Sequence, residues 1–415
     1  MNKIVAIPIF SLLLLLIDWY VFQGVEVVTA NVGSQVQSWI FGIYWGAVAL
    51  VQLGLFIYHF SKPGFLSKKW QTIIMVFIFT HYLSKSVVVL FLIVDDLWRL
   101  LQWVYFQFSG TDPGSIARSP ILAGTGLALS ALPMIGIVFG IFNGAHDYRV
   151  RRQKIYFSNL PEAFDGLKLA QISDIHAGSF WSKPAVKKGV KMLMAENPDL
   201  VCFTGDLVNN RASEMDDYKE VFSQIKAPLG VFSILGNHDY GDYVSWPGAG
   251  AKAQNLQDLV NTHREMGWDI LLNEHRILKK KNEKIAVLGI ENWGAKANFP
   301  KYGIMTDAYA GMEEVPFKIL LSHDPSHWDA EVVPSYTDID LTLSGHTHGM
   351  QFGLELPGFR WSPVQYVYKK WGGLYQQDTQ YLYINRGFGY LGYPGRIGMP
   401  PEITILELKR GKESI

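Results

Sequence analysis

Four stretches of this sequence, near residues 4–23, 37–60, 71–94 and 120–143, are each apolar over about the 20 residues that a helix needs to cross ~30 Å of hydrocarbon. No other feature restricts the fold as much. A chain with four such stretches in residues 1–145 places an all-α, four-helix transmembrane region in a bilayer. The connecting segments orient it. Lys3, Lys62, Lys68, Lys69, Arg149, Arg151, Arg152 and Lys154 border one side, while Arg99 and Arg118 border the other. That bias predicts both termini in the cytoplasm. Val28 and Ala30 in "VVTAN" fit a signal-peptidase site, and cleavage there would leave three spans ending on the same side. The stretch "LWRLLQWVYFQF" (97–108) is too polar at its edges for a fifth span. It reads as an aromatic interfacial helix or as an extension of the third span. His81 and Lys85 lie one helical turn apart inside the third span, either lining a polar pocket or bonded to neighbouring helices.

Residues 146–415 have the composition of a water-exposed globular domain. Over the whole chain 37 basic side chains balance 37 acidic ones, which excludes a global pull toward nucleic acid. A single cysteine, Cys202, excludes an internal disulfide and reads as a small buried core residue, in keeping with a reducing compartment. Short apolar runs of strand length recur at 167–173, 200–204, 230–235, 284–290, 317–322 and 339–344. Helical patterns such as "KPAVKKGVKMLMAENP" and "NLQDLVNTHREMGW" alternate with the first of them, which predicts α/β layers. Late strands at 381–385 and 403–408 have no long helix between them and predict a second, mixed sheet.

Chemistry follows the strands. After 167–173 come Asp174 and His176; after 200–204, Gly205 and Asp206; after 230–235, Gly236, Asn237, His238 and Asp239. After 317–322 come His323 and Asp324, and after 339–344, Gly345, His346 and His348. Ligands of open α/β sheets bind at the carboxyl ends of strands, and residues two apart on extended chain point the same way. Imidazoles and carboxylates in this number suit first-row divalent ions, and two ions sharing a carboxylate accommodate seven ligands better than one. Glycines 205, 236, 345 and 349 allow tight turns and close backbone approach.

The blocks Asp-x-His, Gly-Asp, Gly-Asn-His-Asp, a later His and Gly-His-x-His resemble those of the calcineurin-like metallophosphoesterase superfamily. "FDGLKLAQISDIH" and "GRIGMPPEITILEL" are similar to a bacterial membrane-anchored branch that includes UDP-2,3-diacylglucosamine pyrophosphatase-like enzymes. The resemblance covers roughly 146–410, and the four-span front resembles transmembrane metallophosphoesterases more loosely. It implies a four-layer α/β/β/α sandwich. It implies one metal on Asp174, His176, Asp206 and His348, and a second on Asp206, Asn237, His323 and His346, with Asp206 shared. His238 would be the non-ligand histidine that protonates the leaving oxygen, with Asp239 orienting it. Manganese is the first expectation, with iron or zinc as alternatives. One departure is Asn209, where many relatives carry an acidic residue.

These readings predict a multi-pass protein of the inner membrane with its catalytic domain on the cytoplasmic side. The expected activity is metal-dependent hydrolysis of a lipid-linked phosphodiester or pyrophosphate. The alternatives are a tethered enzyme with a soluble substrate and a non-catalytic metal-binding sensor or scaffold. The aromatics Phe359, Trp361, Tyr366, Tyr368, Trp371 and Tyr375 read either as interfacial side chains or as packing of the second sheet. The segment 241–255 reads as a loop bordering the site, in which Trp246 contacts substrate or pins the loop.

Overall fold

Apolar helices make up the first third of the chain. The computed structural model of the protein describes residues 3–62, 65–110, 114, 116–296 and 299–412, without the side chains of residues 3–6, 68, 69 and 249. It divides into two units, Met1–Phe139 and Gly140–Ile415. The helices are α1 (Lys3–Thr29), α2 (Ser34–Phe60), α3 (Lys68–Ser109), α4 (Pro120–Leu129) and α5 (Ala131–Phe142). They supply four candidate membrane spans, the last running from Pro120 to His146. Residues 97–108 are the end of the 42-residue α3, so that stretch extends the third helix. α4 and α5 part at Ser130, because Pro133 has no N–H for the Leu129 carbonyl.

Charges in hydrocarbon require partners. Lys85 Nζ lies 2.5 Å from Asp18 Oδ1, and Tyr82 donates to Asp18 Oδ2 at 3.0 Å. Tyr44 donates to the Asp18 carbonyl at 2.5 Å, so this cluster joins α1, α2 and α3. His81 Nε2 lies 3.5 Å from Asp18 Oδ1, so His81 and Lys85 both belong to a pairing between helices. A second cluster gathers Tyr20, Arg99 and Arg118 around Asp96.

The second unit is built on strands. In chain order they are β1 (Arg149–Phe157), β2 (Leu167–Ile172), β3 (Leu200–Phe203), β4 (Val231–Ser233), β5 (Asp269–Ile270), β6 (Glu274–Lys280) and β7 (Glu283–Gly289). There follow β8 (Lys318–Leu321), β9 (Leu341–Ser344), β10 (Leu354–Leu356), β11 (Phe359–Trp361), β12 (Gly373–Gln377), β13 (Gln380–Ile384) and β14 (Glu402–Arg410). One six-stranded sheet has the order β1-β14-β2-β3-β4-β5, another β12-β13-β9-β8-β7-β6, and β10 pairs with β11 in a separate ribbon. In both sheets the strands that lead to the candidate ligands are parallel neighbours, so their carboxyl ends share one edge.

Period-two burial sets the layers. Leu169, Leu200, Cys202 and Leu406 pack between the sheets against Ile285, Val287, Ile319 and Leu321. Ala170, Val201, Phe203 and Ile405 face the other way, onto Val186, Val190 and Leu193 of α6 (Lys183–Ala195), Phe222 of α7 (Lys219–Phe222) and Leu259 of α8 (Ala249–Glu265). Ala286, Leu288 and Leu320 cover the outer side of the second sheet with Met305, Trp328 and Val332 from short helical segments. The result is the expected α/β/β/α sandwich.

Two details differ from the sequence reading, and a third decides between its alternatives. Residues 402–410 form β14, which lies in the first sheet, parallel to β1 and antiparallel to β2. Strands buried on both faces carry no mark of which sheet they join. The loop after the Asn-His-Asp block is shorter than 241–255, since α8 starts at Ala249. Trp246 pins that loop, donating to the Gly241 carbonyl at 2.7 Å and stacking on Arg211 at 4.4 Å.

Candidate metal centre

Seven candidate ligands converge at the shared sheet edge. Asp174, His176 and His348 form one trio, and Asp206, His323 and His346 another; within each, the ligand atoms lie within 4.8 Å of one another. Asp206 stands between them, its Oδ2 3.2 Å from His323 Nε2 and 3.5 Å from His176 Nε2. Asn237 joins the second trio with Oδ1 2.9 Å from His346 Nδ1. Each trio draws on both sheets: Asp174, His176 and Asp206 follow β2 and β3, whereas His323, His346 and His348 follow β8 and β9.

The backbone is bent to present these groups. Asp174, His176, Asp206, His346 and His348 all have φ between 48° and 70°, a region in which non-glycine residues are strained by on the order of 1 kcal/mol each. Such concentrated strain is a mark of functional sites. Gly345 makes the approach possible, because a Cβ there would lie 1.9 Å from Ser173 Oγ and 2.3 Å from Asp174 Oδ2.

The donor atoms fit divalent cations. His323 Nδ1 lies 2.7 Å from the Thr204 carbonyl, an acceptor only, so Nδ1 carries hydrogen and Nε2 is aimed at Asp206. A lone pair facing a carboxylate at that range requires positive charge between them. Burial opposes a proton on His323, but Asp206 outweighs it and raises the imidazole to about 10. A proton there answers the same electrostatic demand as a metal ion. His176 Nε2 and His348 Nε2 lie 3.1 Å apart, close to the ~3 Å edge expected for two nitrogens about 2.1 Å from one ion. Burial lowers His176 to about 3, which keeps it neutral and able to ligate. Burial works against ionisation of Asp174, yet His348 and His323 hold its carboxyl below the usual range.

His238 sits beside the trios and outside them. Its Nδ1 lies 2.9 Å from the Asn209 carbonyl, and its ring meets His176 edge to face at 5.0 Å. The sequence reading gave Asp239 the task of orienting His238; in the structure the Asn209 carbonyl does so. Asp239 is fully buried and accepts from the amides of Asp206, Leu207 and Gly236 at 2.9 Å and of Val208 at 3.2 Å. Burial and the neighbouring Asp206 push its carboxyl up to about 8, while the four N–H groups leave no acceptor for a proton and favour the carboxylate, which makes it a loop clamp. The Asn209 side chain accepts from Ser179 at 3.1 Å.

Several contacts of the site escaped sequence reasoning. Tyr368 Oη lies 3.0 Å from His346 Nε2 and donates to Asp324 Oδ2 at 3.1 Å. Arg396, fully buried and lowered to about 10 by desolvation, has Nη2 3.3 Å from His348 Nδ1 and donates to the Gly387 and Gly389 carbonyls. Arg396 lies in the quoted "GRIGMPPEITILEL", but nothing in that string marks its side chain as turned inward.

Comparison with known proteins agrees with this geometry. Residues 167–350 match the family described as calcineurin-like phosphoesterase. The chain carries a calcineurin-like metallophosphoesterase domain. Residues 2–145 match a second family, described as a probable calcineurin-like phosphoesterase transmembrane domain. A transmembrane protein with metallophosphoesterase domain from Danio rerio is 32% identical over 280 residues, or 66% of this chain; the match spans 60% of that relative's length. An uncharacterized metallophosphoesterase of Bacillus subtilis is 29% identical over 64% of this chain and 86% of its own. A UDP-2,3-diacylglucosamine pyrophosphatase of Chlamydia trachomatis is 28% identical over 60% of this chain and 86% of its own. The metallophosphoesterase family uses a dinuclear metal centre, and the two trios are the candidate places for it.

Proposed function

We propose that residues 146–415 of this metallophosphoesterase hydrolyse a phosphodiester or pyrophosphate bond of a lipid-linked substrate, on the cytoplasmic face of the inner membrane that residues 1–145 span. The observation that carries the reading is the pair of trios joined through Asp206, with His238 alongside. The basic flank Arg149, Arg151, Arg152 and Lys154 after the fourth span supports the cytoplasmic side. The relative from Chlamydia trachomatis, by its name, supports a lipid-linked pyrophosphate.

Asp174, His176, Asp206 and His348 would hold one divalent ion, and Asp206, Asn237, His323 and His346 the other, with manganese the first candidate. Such a pair supplies an activated water and neutralises charge developing on phosphorus. The protein's own groups do the rest. Nδ1–H of His238 is committed to the Asn209 carbonyl, so it is the imidazolium, carrying hydrogen on both nitrogens, that can give the Nε2 proton to the leaving oxygen and end as the neutral Nδ1–H form. Asn237 donates to Tyr243 Oη at 2.8 Å, so its amide oxygen is turned toward His346. The Tyr243 ring packs on His238 at 4.4 Å and limits its rotation.

The test is hydrolysis by detergent-solubilised full-length protein with added manganese, on lipid-linked pyrophosphates, phospholipids and soluble chromogenic diesters. His238→Asn is expected to lower turnover by about 10²–10⁴-fold while two ions per chain remain. Undiminished turnover in that variant, or a wild-type chain inert toward every phosphate ester, overturns the reading. A preference for the soluble diesters would remove the lipid assignment alone.

A further inference from the structure

A two-stranded ribbon leaves the metal centre directly after its last histidine. His348, Gly349, Met350 and Gln351 have φ of 51°, 54°, 54° and 55°, a left-handed turn that delivers the chain into β10 and β11. Leu354 pairs with Trp361, Glu355 with Arg360 and Leu356 with Phe359. Side chains alternate across a strand, so Leu354, Leu356, Phe359 and Trp361 share one face while Glu355 and Arg360 share the other. The polar face is the one fastened to the domain. Glu355 pairs with Arg386 at 2.5 Å and with Arg151, and Arg360 donates to the Gly372 carbonyl at 2.6 Å. The apolar face is turned outward, with Leu354, Leu356 and Phe359 exposed by 45%, 53% and 52%. A ribbon bathed in water has the opposite arrangement.

The root of the ribbon identifies what covers that face. Ile397 N donates to the Gln351 carbonyl at 2.8 Å, and Gly353 N donates to the Ile397 carbonyl at 2.9 Å. The adjacent Arg396 N donates to the Gly140 carbonyl at 3.1 Å. Gly140 belongs to α5, within the fourth candidate span, which ends at His146. A single step along the chain, from Ile397 to Arg396, thus separates the ribbon's base from the end of a membrane helix. Beside Leu356, a cleft of about 760 Å³ is lined by Glu355 and by Arg151, Arg152, Arg360 and Arg386. Glu355 engages Arg151 and Arg386 and Glu196 engages Arg152, so the exposed Arg360 is the guanidinium open to a phosphate headgroup.

We propose that the apolar face of the β10–β11 ribbon inserts into the lipid surface, with Arg360 at headgroup level, and so moors the metal centre to the bilayer. The occupant is lipid because the ribbon is rooted at the end of a membrane span and its rim is basic.

Cys202 is fully buried, so an environment-sensitive thiol label can be directed to Leu356→Cys, Phe359→Cys or, as control, the exposed Lys280→Cys in the full-length chain. Each variant is reconstituted in nanodiscs of phosphatidylcholine and phosphatidylglycerol, with or without doxyl-labelled lipid. Emission at both ribbon positions is expected to fall about twofold or more with the doxyl lipid, while the control is unchanged. Equal emission with and without doxyl lipid at the ribbon positions overturns the proposal. So does protection from both doxyl lipid and aqueous iodide, which indicates a protein partner or a second copy. The unsubstituted chain supplies an independent arm that does not depend on a variant folding. Photoactivatable phosphatidylcholine should attach within residues 352–361, and attachment confined to residues 1–146 also overturns the proposal.

Discussion

Replacing Asp239 with asparagine should undo the site without touching a ligand. Each carboxylate oxygen of Asp239 accepts two amides: Oδ1 those of Leu207 and Val208, Oδ2 those of Asp206 and Gly236. Asparagine keeps one oxygen and sets an NH₂ group against the other two N–H donors. Two hydrogen bonds to a charged acceptor are lost, at about 1.5–3 kcal/mol each, and their donors remain buried. The expected loss is therefore about 3–6 kcal/mol, or on the order of 10 °C in the unfolding midpoint of a unit this size. Asp206 is sensitive to this loss, because its own amide is one of the four donors while its φ of 60° is strained. Metal content should drop below two per chain, and turnover should fall by about 100-fold, as expected for misplacement near 1 Å. Thermal unfolding, elemental analysis and hydrolysis rates on the detergent-solubilised protein test this together. An Asp239→Asn protein that melts within about 2 °C of wild type, holds two ions and turns over normally would refute the clamp.

Other consequences can be tested in the same preparations. His263 is fully buried, and burial lowers it to about 3, against an unfolded value of about 6.5, so the unfolded chain binds the extra proton. Its stabilising contribution is complete above pH 6.5 and is lost as pH falls toward 3, at about 1.4 kcal/mol per unit; His263→Phe should flatten unfolding midpoints over that window, and an unchanged slope would contradict the assignment. Arg386→Met leaves buried Glu402, whose Oε2 lies 2.7 Å from Arg386, with Arg151 at 3.4 Å as its remaining cation, so unfolding should become easier, by less than the ~3–5 kcal/mol of a fully unpaired charge. Lys85→Met strands Asp18 in hydrocarbon, and detergent stability should drop; adding Asp18→Asn should restore part of it, whereas strict additivity would mean the two groups do not interact.

Much of the site was legible because strand and ligand signals coincide. A β-branched run followed at once by Asp-x-His or Gly-Asn-His-Asp places side chains at a sheet edge with little ambiguity, and Asp174, His176, Asp206, Asn237, His323, His346 and His348 all gather there. Contacts that depend on tertiary closure were not legible. Tyr368 and Arg396 reach the histidines from segments whose local patterns mark neither side chain as inward-turned. The resemblance gave Asp239 the task of orienting His238, but adjacent residues point apart, and its carboxylate serves the backbone instead. β14 was assigned to the other sheet because no long helix separates it from β13, and a continuous buried run says that both faces are covered but not by what. Residues 354–361 were read only for their aromatics, since two strands of three residues lie at the lower limit of any period-two signal.

Because each trio takes members from β2 or β3 on one side and β8 or β9 on the other, neither half of the sandwich presents a complete trio alone. Loading is thereby made conditional on the two halves having already met in register. Once seated, an ion becomes a rivet through the seam, so chelation should loosen the joint between the layers before it disturbs either layer internally.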